Sequence, residues 1–175
     1  MVATLAMIPV IITAIMLGTW AGTLMGFAAG LFSFLVWTFM PPNPVVAFIY
    51  TPVYSVGNVQ GNVWSLAICF IPRILTGTFA GLTYHGLSKL HPKAGLEYII
   101  AGVVGSVTNT ALVLGGTYFF FGREYAAAIG TSFELLLGLI GMTVLTNGIP
   151  EAVVSALAAV GICKPLKKQL SRHHL

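Results

Sequence analysis

The sequence is poor in charge. Asp, Glu, Lys and Arg make up only 7% of its 175 residues, and only four of these are acidic. Because a soluble domain carries about 25% charged residues, this composition excludes an ordinary soluble domain. Hydrophobic residues make up 57% of the chain. The sequence therefore predicts an all-α integral membrane protein that lies almost wholly within the bilayer.

Motifs for nucleotide hydrolysis and metal-dependent catalysis are also missing. The sequence contains no GxxxxGK[ST] stretch to hold ATP phosphates and no HExxH pair. An intramembrane enzyme is therefore disfavoured, and no catalytic residue, metal or cofactor is predicted. The two cysteines, Cys69 and Cys163, lie in apolar stretches, which favours buried free thiols over a disulfide.

Five apolar segments are predicted to form the helices of one transmembrane domain covering residues 1–175. They are residues 3–18, 21–40, 63–86, 96–121 and 133–163. The intervening stretches 41–62 and 122–132 are predicted to be outer loops. Five spans place the two termini on opposite sides, and no signal peptide is apparent. We therefore expect one helix to be missing before the first segment.

The lysines and arginines indicate how these spans are oriented. Lys89 and Lys93 lie in one short loop, and the tail from Lys164 adds the cationic stretch KPLKKQLSRHH. Cationic loops favour the cytoplasmic side of a membrane. The sequence therefore predicts a plasma-membrane protein with a cytoplasmic C-terminus, and its net charge of +4 does not indicate nucleic-acid binding.

Glycines recur at helical spacing in two of the segments. Gly22, Gly26 and Gly30 share one face of the second segment, and Gly77 with Gly81 share a face of the third. Small residues at this spacing allow two membrane helices to approach closely. We expect these faces to serve packing.

The 41–62 segment, PPNPVVAFIYTPVYSVGNVQGN, is uncharged. It is too rich in proline for a regular span and too aromatic for a solvated loop. Because long loops in compact proteins are usually functional, we interpret it as a structured lid over the outer mouth of the bundle. A re-entrant or interfacial loop without a ligand is the alternative.

Arg73 lies about ten residues into the third segment, VWSLAICFIPRILTGTFAGLTYH, near mid-membrane. An arginine there costs at least about 2.5–3.5 kcal/mol on insertion scales, so a partner must compensate it. The arginine either binds a ligand or acts in gating, or it pairs with a glutamate or with backbone carbonyls freed by Pro72. The sequence does not decide between these interpretations.

Two further polar features fall at membrane depth. The fourth segment carries Asn109 among neighbouring serine and threonine residues, which suits either a polar ligand or a helix–helix contact. The fifth segment is expected to break at residues 145–151, where Asn-Gly precedes a proline. Glu151 follows this break, at the start of a new helix or paired with Arg73.

Four stretches carry a resemblance to a known family. They are IPVIITAIMLGTWAGTLMGFAAGLFSFL at 8–35, CFIPRILTG at 69–77, VGSVTNTALVLGG at 104–116 and TNGIPEAVVSAL at 146–157. The first resembles the pattern of S components, the substrate-binding subunits of energy-coupling factor (ECF) vitamin transporters. The others are similar to the subgroup usually assigned to pantothenate. The resemblance implies a six-helix bundle, of which five helices are present here.

The resemblance also implies a mechanism and partners. An S component captures a vitamin outside the cell, docks on a transmembrane coupling subunit, topples in the membrane and releases the vitamin inward. Two ATPase subunits bound to the coupling subunit hydrolyse ATP. A small channel or a stand-alone secondary transporter is the alternative from another class, although the inverted repeats of many secondary transporters are not evident.

Pantothenate chemistry suggests which residues bind it. Its carboxylate suits the fork of Arg73 or Arg123, and its gem-dimethyl end suits an aromatic wall of Tyr54, Trp64 or Tyr118. Its amide and hydroxyls suit asparagines, of which the candidates are Asn58, Asn62, Asn109 and Asn147. Glu151 would instead anchor a cationic or neutral vitamin of the pyridoxine or hydroxymethylpyrimidine type, or pair with Arg73.

Overall fold

The computed structural model describes residues 6–56, 59–90 and 95–173. Helices account for most of these residues, and the all-α prediction is confirmed. The helices are α1 (Met7–Leu17), α2 (Thr19–Phe39), α3 (Val63–Leu90), α4 (Leu96–Ala128), α5 (Phe133–Thr143), α6 (Ile149–Ala158) and α7 (Lys164–His173).

Four helices in the described part of the chain are long and apolar enough to cross a membrane. They are α2, α3, α4 and the continuous helical run Phe133–Gln169, which includes α5 and α6. The helix α1 is apolar but shorter, with 11 residues. The chain is therefore an integral membrane protein.

Gly18 separates the first two helices. The break was expected at residues 19–20, but α2 already begins at Thr19 because Gly18 makes the turn, with a φ of 105°. This left-handed region favours glycine, which has no Cβ to clash with the backbone.

The predicted glycine faces form the contact between α2 and α3, as expected. A Cβ on Gly26 would lie 2.3 Å from the carbonyl oxygen of Arg73. A Cβ on Gly77 would lie 2.1 Å from the carbonyl oxygen of Gly22. The two backbones therefore approach too closely for any larger side chain at these positions.

The second outer loop is shorter than predicted. Residues 122–128 continue α4, and only residues 129–132 connect it to α5. This stretch contains a charged pair followed by Tyr125 and three alanines, and alanine is the strongest helix former. The charged pair alone was insufficient to indicate a loop.

The break predicted at residues 145–151 is wrong. The helix from Phe133 continues through this region, with π-helical segments at Val144–Gly148 and Ala159–Cys163. Each segment ends two residues before a proline, Pro150 or Pro165. A proline has no N–H and clashes with the carbonyl four residues earlier, and the wider π turn relieves this clash. Glu151 therefore lies within a continuous helical run and not at a new helix start.

The 41–62 segment is structured. It contains a 3-10 helix at Pro44–Ile49 and the two-residue strands β1 (Ser55–Val56) and β2 (Val59–Gln60), which pair antiparallel. Phe48 packs with Ile68 of α3 and Phe121 of α4. Ser65 donates a 2.6 Å hydrogen bond to the carbonyl of Phe48. The segment therefore caps one end of α3 and α4.

The opposite end of the bundle holds α7. Lys167 donates a 2.9 Å hydrogen bond to the Tyr84 hydroxyl of α3, and Tyr84 in turn donates to the Tyr98 hydroxyl of α4 at 3.3 Å. These contacts hold the cationic C-terminal helix against the bundle, at the end far from the 41–62 segment.

Candidate functional site

Six buried polar side chains meet inside the bundle, and we call them the central cluster. Arg73 and Glu151 are its charged members and are 5% and 7% exposed. The neutral members come from the same three helices, α3, α4 and α6, and are Thr76, Ser106, Asn109 and Ser155. Ionisable groups buried at membrane depth are costly and usually mark function.

Close packing of α4 against α6 places the members from these two helices at one level. A Cβ on Gly102 would lie 2.8 Å from the carbonyl oxygen of Ser155, and one on Gly148 would lie 3.1 Å from Thr110 Cγ2. The two helices therefore run antiparallel. Ser106 and Asn109 fall between these two contacts on α4, and Glu151 falls between them on α6.

Thr76 links the third helix to this pair. Its hydroxyl donates to the Pro72 carbonyl at 2.7 Å and reaches the Gly105 carbonyl of α4 at 3.3 Å. A Cβ on Gly105 would lie 2.9 Å from Ile11 Cγ1 of α1. Helix α1 therefore packs beside the cluster with apolar side chains, and α3, α4 and α6 supply the polar groups of the cluster.

Most members of the cluster hold a polar atom without a hydrogen-bond partner in the described part of the chain. These atoms are Arg73 Nε, Ser106 Oγ, Asn109 Oδ1, Glu151 Oε1 and Ser155 Oγ. Buried polar atoms are usually paired, and an unpaired group costs about 1–3 kcal/mol. The cluster therefore holds both donors and acceptors that the described part of the chain leaves unpaired.

Arg73 makes one structural hydrogen bond and keeps a buried Nε without a partner. Its Nη1 donates a 2.7 Å hydrogen bond to the carbonyl of Ile68. This carbonyl lies four residues before Pro72, which has no N–H to donate to it. The contact between Arg73 and a backbone carbonyl freed by Pro72, one of the interpretations left open by the sequence, is thus present. The Nε of Arg73 has no partner among the described residues.

Arg73 does not form an ion pair with Glu151. The guanidinium acts electrostatically on the Glu151 carboxylate, yet no hydrogen bond satisfies Oε1 within the described residues. The direct pairing considered from the sequence is therefore absent.

Tyr50 extends from the 41–62 segment to the cluster. Its ring lies 5.7 Å from the Arg73 guanidinium and stacks on Trp37 of α2 at 4.5 Å. Burial raises the pKa of the Tyr50 hydroxyl, and the positive charge of Arg73 opposes this shift. The phenol therefore stays protonated and can donate a hydrogen bond. Its place in an uncharged aromatic stretch was the only sign of this role in the sequence.

Two predicted residues occupy the end of α3 near the 41–62 segment. Asn62 Oδ1 accepts a 2.8 Å hydrogen bond from the backbone N–H of Trp64, as a residue that caps a helix start does. Trp64 is 51% exposed and stacks on Phe120 at 4.2 Å. Tyr54 is half-buried within the segment itself. The structure does not bring these three into the central cluster.

The remaining predicted residues are also separate from the cluster. Tyr118 stacks on Phe133 of α5 at 5.3 Å. Asn147 is exposed in the first π-helical segment, where its Nδ2 donates to the Thr146 hydroxyl at 3.1 Å. Arg123 is exposed near the end of α4, and Asn58 lies outside the described residues.

Of the predicted residues, Arg73, Asn109 and Glu151 are thus brought together. Sequence reasoning did not include Ser155, Thr76 or Tyr50 in the site. Ser155 follows Glu151 by four residues and therefore shares its helix face, which is a signal that the sequence does contain.

Two grooves lie beside the cluster, and both are apolar. A groove of about 310 Å³ runs between α4 and the α5–α6 run, and one of about 350 Å³ runs between α3 and α4. No member of the cluster lines either groove. Neither groove is lined by a charged side chain, so the cluster remains the candidate site for a polar ligand.

Comparison with known proteins agrees with the resemblance noted in the sequence. Residues 1–163 match the model of the family "ECF transporter, substrate-specific component". The pantothenic acid transporter PanT of Lactococcus lactis subsp. cremoris (strain MG1363) is 35% identical over 166 residues, which cover 94% of this chain and 78% of the relative. No solved structure matches the chain. Because the family match extends over nearly the whole chain, this protein belongs to the substrate-specific components of ECF transporters, a family of transporter subunits and not of enzymes.

Proposed function

We propose that this chain captures pantothenate outside the plasma membrane and delivers it inward as the substrate-binding subunit of an ATP-driven ECF importer. The observation that carries this proposal is the 35% identity to a pantothenic acid transporter along 94% of the chain. The buried charges of the central cluster support it.

The chemistry of the cluster suits pantothenate. The carboxylate of the vitamin can accept a charge-assisted hydrogen bond from Arg73 Nε, a buried donor of the cluster that has no partner. The amide and hydroxyls of the vitamin can then bind Asn109 Oδ1 and the hydroxyls of Ser106 and Ser155. This arrangement satisfies buried atoms that the protein leaves unpaired.

The 41–62 segment supports capture from one side of the membrane. Its Tyr50 lies over Arg73, and its Thr51 hydroxyl is 2.8 Å from that of Thr38 in α2. We assign this end to the outside and the cationic α7 to the cytoplasm, since lysine-rich ends favour that side. The segment then acts as a lid that admits the vitamin from outside.

Transport requires partners that this chain does not supply. Its sequence has no P-loop, so ATP hydrolysis is assigned to two ATPase subunits and docking to a transmembrane coupling subunit. The lipid bilayer is the remaining partner. No nucleic acid is expected to bind.

One observation favours a second substrate class within the same family. Glu151 is buried and its Oε1 is unpartnered, so it can anchor a cationic or neutral vitamin of the pyridoxine or hydroxymethylpyrimidine type. Such a ligand would not need Arg73 as its partner. Unlabelled vitamins of the two classes can be compared by how well each competes for the site, which distinguishes the two classes.

Uptake into proteoliposomes tests the proposed function. The chain is reconstituted with a coupling subunit and two ATPases of an ECF module, ATP is placed on the ATPase side and labelled pantothenate on the other. We expect accumulation that needs both ATP and this chain. Accumulation of pantothenate without the ATPases would indicate a stand-alone transporter instead. If pantothenate neither accumulates nor competes with another vitamin for the site, the assigned substrate is contradicted.

A further inference from the structure

With Arg73 and Glu151 both ionised, the charges of the central cluster balance before any ligand enters. Arg73 and Glu151 are both more than nine-tenths buried, and they act on each other electrostatically. The other members of the cluster are neutral hydroxyl and amide groups. With both charged groups ionised, the cluster therefore has no net charge.

An anionic ligand disturbs this balance, and this step rests on the proposed function. A pantothenate carboxylate bound at Arg73 would share one guanidinium with the Glu151 carboxylate. Two carboxylates at one buried site do not both remain ionised, because the low dielectric strengthens their repulsion. Arg73 carries a single positive charge and therefore cannot neutralise two carboxylates.

We propose that pantothenate binds together with one proton, which is held on Glu151. Proton uptake restores the charge balance: Arg73 remains positive, the ligand carboxylate is negative and Glu151 becomes neutral. The protonated carboxyl also gains an O–H donor. Such a donor suits this site, because three unpartnered atoms on other residues of the cluster are oxygens.

No other titratable group in the described chain competes with Glu151 for this role. Helix α3 contributes Arg73, the cation of the cluster, and the thiol of Cys69, which already donates to the Gly30 carbonyl at 3.5 Å. The 41–62 segment contributes Tyr50 over Arg73. Helix α1 has no titratable side chain, and α4 has none between Tyr98 and Tyr118. On the α5–α6 run, the other carboxyl belongs to Glu134, in the first turn of α5.

The proposal fixes the sign of the pH dependence. If the complex holds a proton that the free protein has released, raising the pH weakens binding by up to about tenfold per pH unit. Titration of the ligand cannot cause this loss of affinity, because an ordinary carboxyl titrates at about pH 4 and stays ionised at neutral and alkaline pH. An affinity that decreases as pH rises is therefore a property of the protein site.

Isothermal titration calorimetry measures the proton directly. Pantothenate is titrated into the detergent-solubilised protein between about pH 6 and pH 9, in pairs of buffers with different heats of ionisation. We expect uptake that approaches one proton at alkaline pH and an affinity that falls over the same range. Binding with no proton uptake and a constant affinity would overturn the inference while leaving the proposed function intact.

Two variants locate the proton. Glu151→Gln mimics the protonated carboxyl, so it should abolish proton uptake and bind more tightly than the native protein at about pH 9. Glu97→Gln is the matched control, because Glu97 is also buried with an unpartnered carboxylate oxygen but lies outside the cluster. It should keep the native pH dependence.

The remaining outcomes also decide the question. Proton uptake that persists in Glu151→Gln would overturn the assignment to Glu151, as would an affinity that depends on sodium and not on pH. If Glu151→Gln does not fold, the proton count on the native protein still tests the inference. Folded native protein that binds no pantothenate at any pH would instead refute the proposed function itself.

Discussion

Replacing Arg73 with glutamine tests the anion site at the centre of the bundle. Arg73 is 5% exposed, and its Nε is a buried donor that has no partner among the described residues. If this atom binds the carboxylate of pantothenate, Arg73→Gln removes a buried, hydrogen-bonded charge pair. The ligand carboxylate is then left beside Glu151 without a cation.

The expected loss of affinity is large. Truncating one partner of a buried charge pair costs about 2–5 kcal/mol. At about 1.4 kcal/mol per factor of ten, this corresponds to a dissociation constant raised roughly 30-fold to several thousand-fold. Arg73→Lys keeps the charge but loses the planar fork, so its loss of affinity should be smaller.

Opposing effects on stability should leave the Arg73→Gln variant folded. The Ile68 carbonyl loses its donor, and an unsatisfied buried polar group costs about 1–3 kcal/mol. Removing an arginine from membrane depth regains about 2.5–3.5 kcal/mol on insertion scales. Because these two free-energy changes are similar in size and opposite in sign, the melting temperature should change little. The loss of pantothenate affinity should then report on the binding site and not on unfolding.

The assay is equilibrium binding of pantothenate to purified protein, alongside a thermal melt. Arg123→Gln is the control, since Arg123 is exposed near the end of α4 and its loss should leave the affinity within about twofold. An Arg73→Gln variant that melts normally and binds pantothenate with native affinity would refute the role assigned to Arg73.

Three further predictions address packing, the lid and the proline in the last helical run. Gly26→Leu should destabilise the protein by at least about 1–3 kcal/mol, because its Cβ would lie 2.3 Å from a backbone oxygen of α3. Gly138→Leu should not destabilise the protein, because the space around Gly138 is open. Equal melting temperatures of the two variants would contradict this account of the packing. Tyr50→Ala should speed pantothenate dissociation roughly two- to tenfold while Tyr50→Phe should have less effect, and identical dissociation rates in stopped-flow displacement would exclude a lid role. Pro150→Ala should slow amide hydrogen exchange across residues 144–150, because it restores a donor to the Thr146 carbonyl; unchanged exchange would show that the proline does not cause the π-helical segment.

Features set by spacing along one helix were predictable from the sequence. Gly22, Gly26 and Gly30 repeat every four residues, which fixes them on one face whatever the neighbouring helix is. The 41–62 segment was recognised as structured because its prolines and aromatics fit neither a span nor a solvated loop. The same spacing rule would have paired Ser155 with Glu151.

Features that depend on tertiary contacts were not predictable in the same way. An asparagine offers the same chemistry wherever it lies, and only the fold shows that Asn62 caps α3 while Asn109 is buried in the cluster. The contacts of Arg73 also depend on geometry, because its Nη1 reaches the carbonyl freed by Pro72 while its Nε has no partner.

Helix ends posed a different difficulty, because local signals competed. The charged pair at residues 123–124 indicated a loop, yet the following alanines extend α4 to Ala128. The Asn-Gly-Ile-Pro stretch at 147–150 indicated a break, yet a π turn accommodates Pro150 within the helix. In both cases the continuous backbone hydrogen bonding of a helix outweighed residues that disfavour it, as expected where the bilayer offers no water to satisfy free groups.

The identity of the small molecule bound to the native protein tests the proposed function most directly. The protein is purified from cells grown in rich medium and denatured, and the released compounds are identified by mass spectrometry. We predict pantothenate in near-stoichiometric amount. A pyridoxine-like or pyrimidine compound would contradict the assigned substrate and move the anchor to Glu151, and folded protein that releases no vitamin would contradict the proposed function.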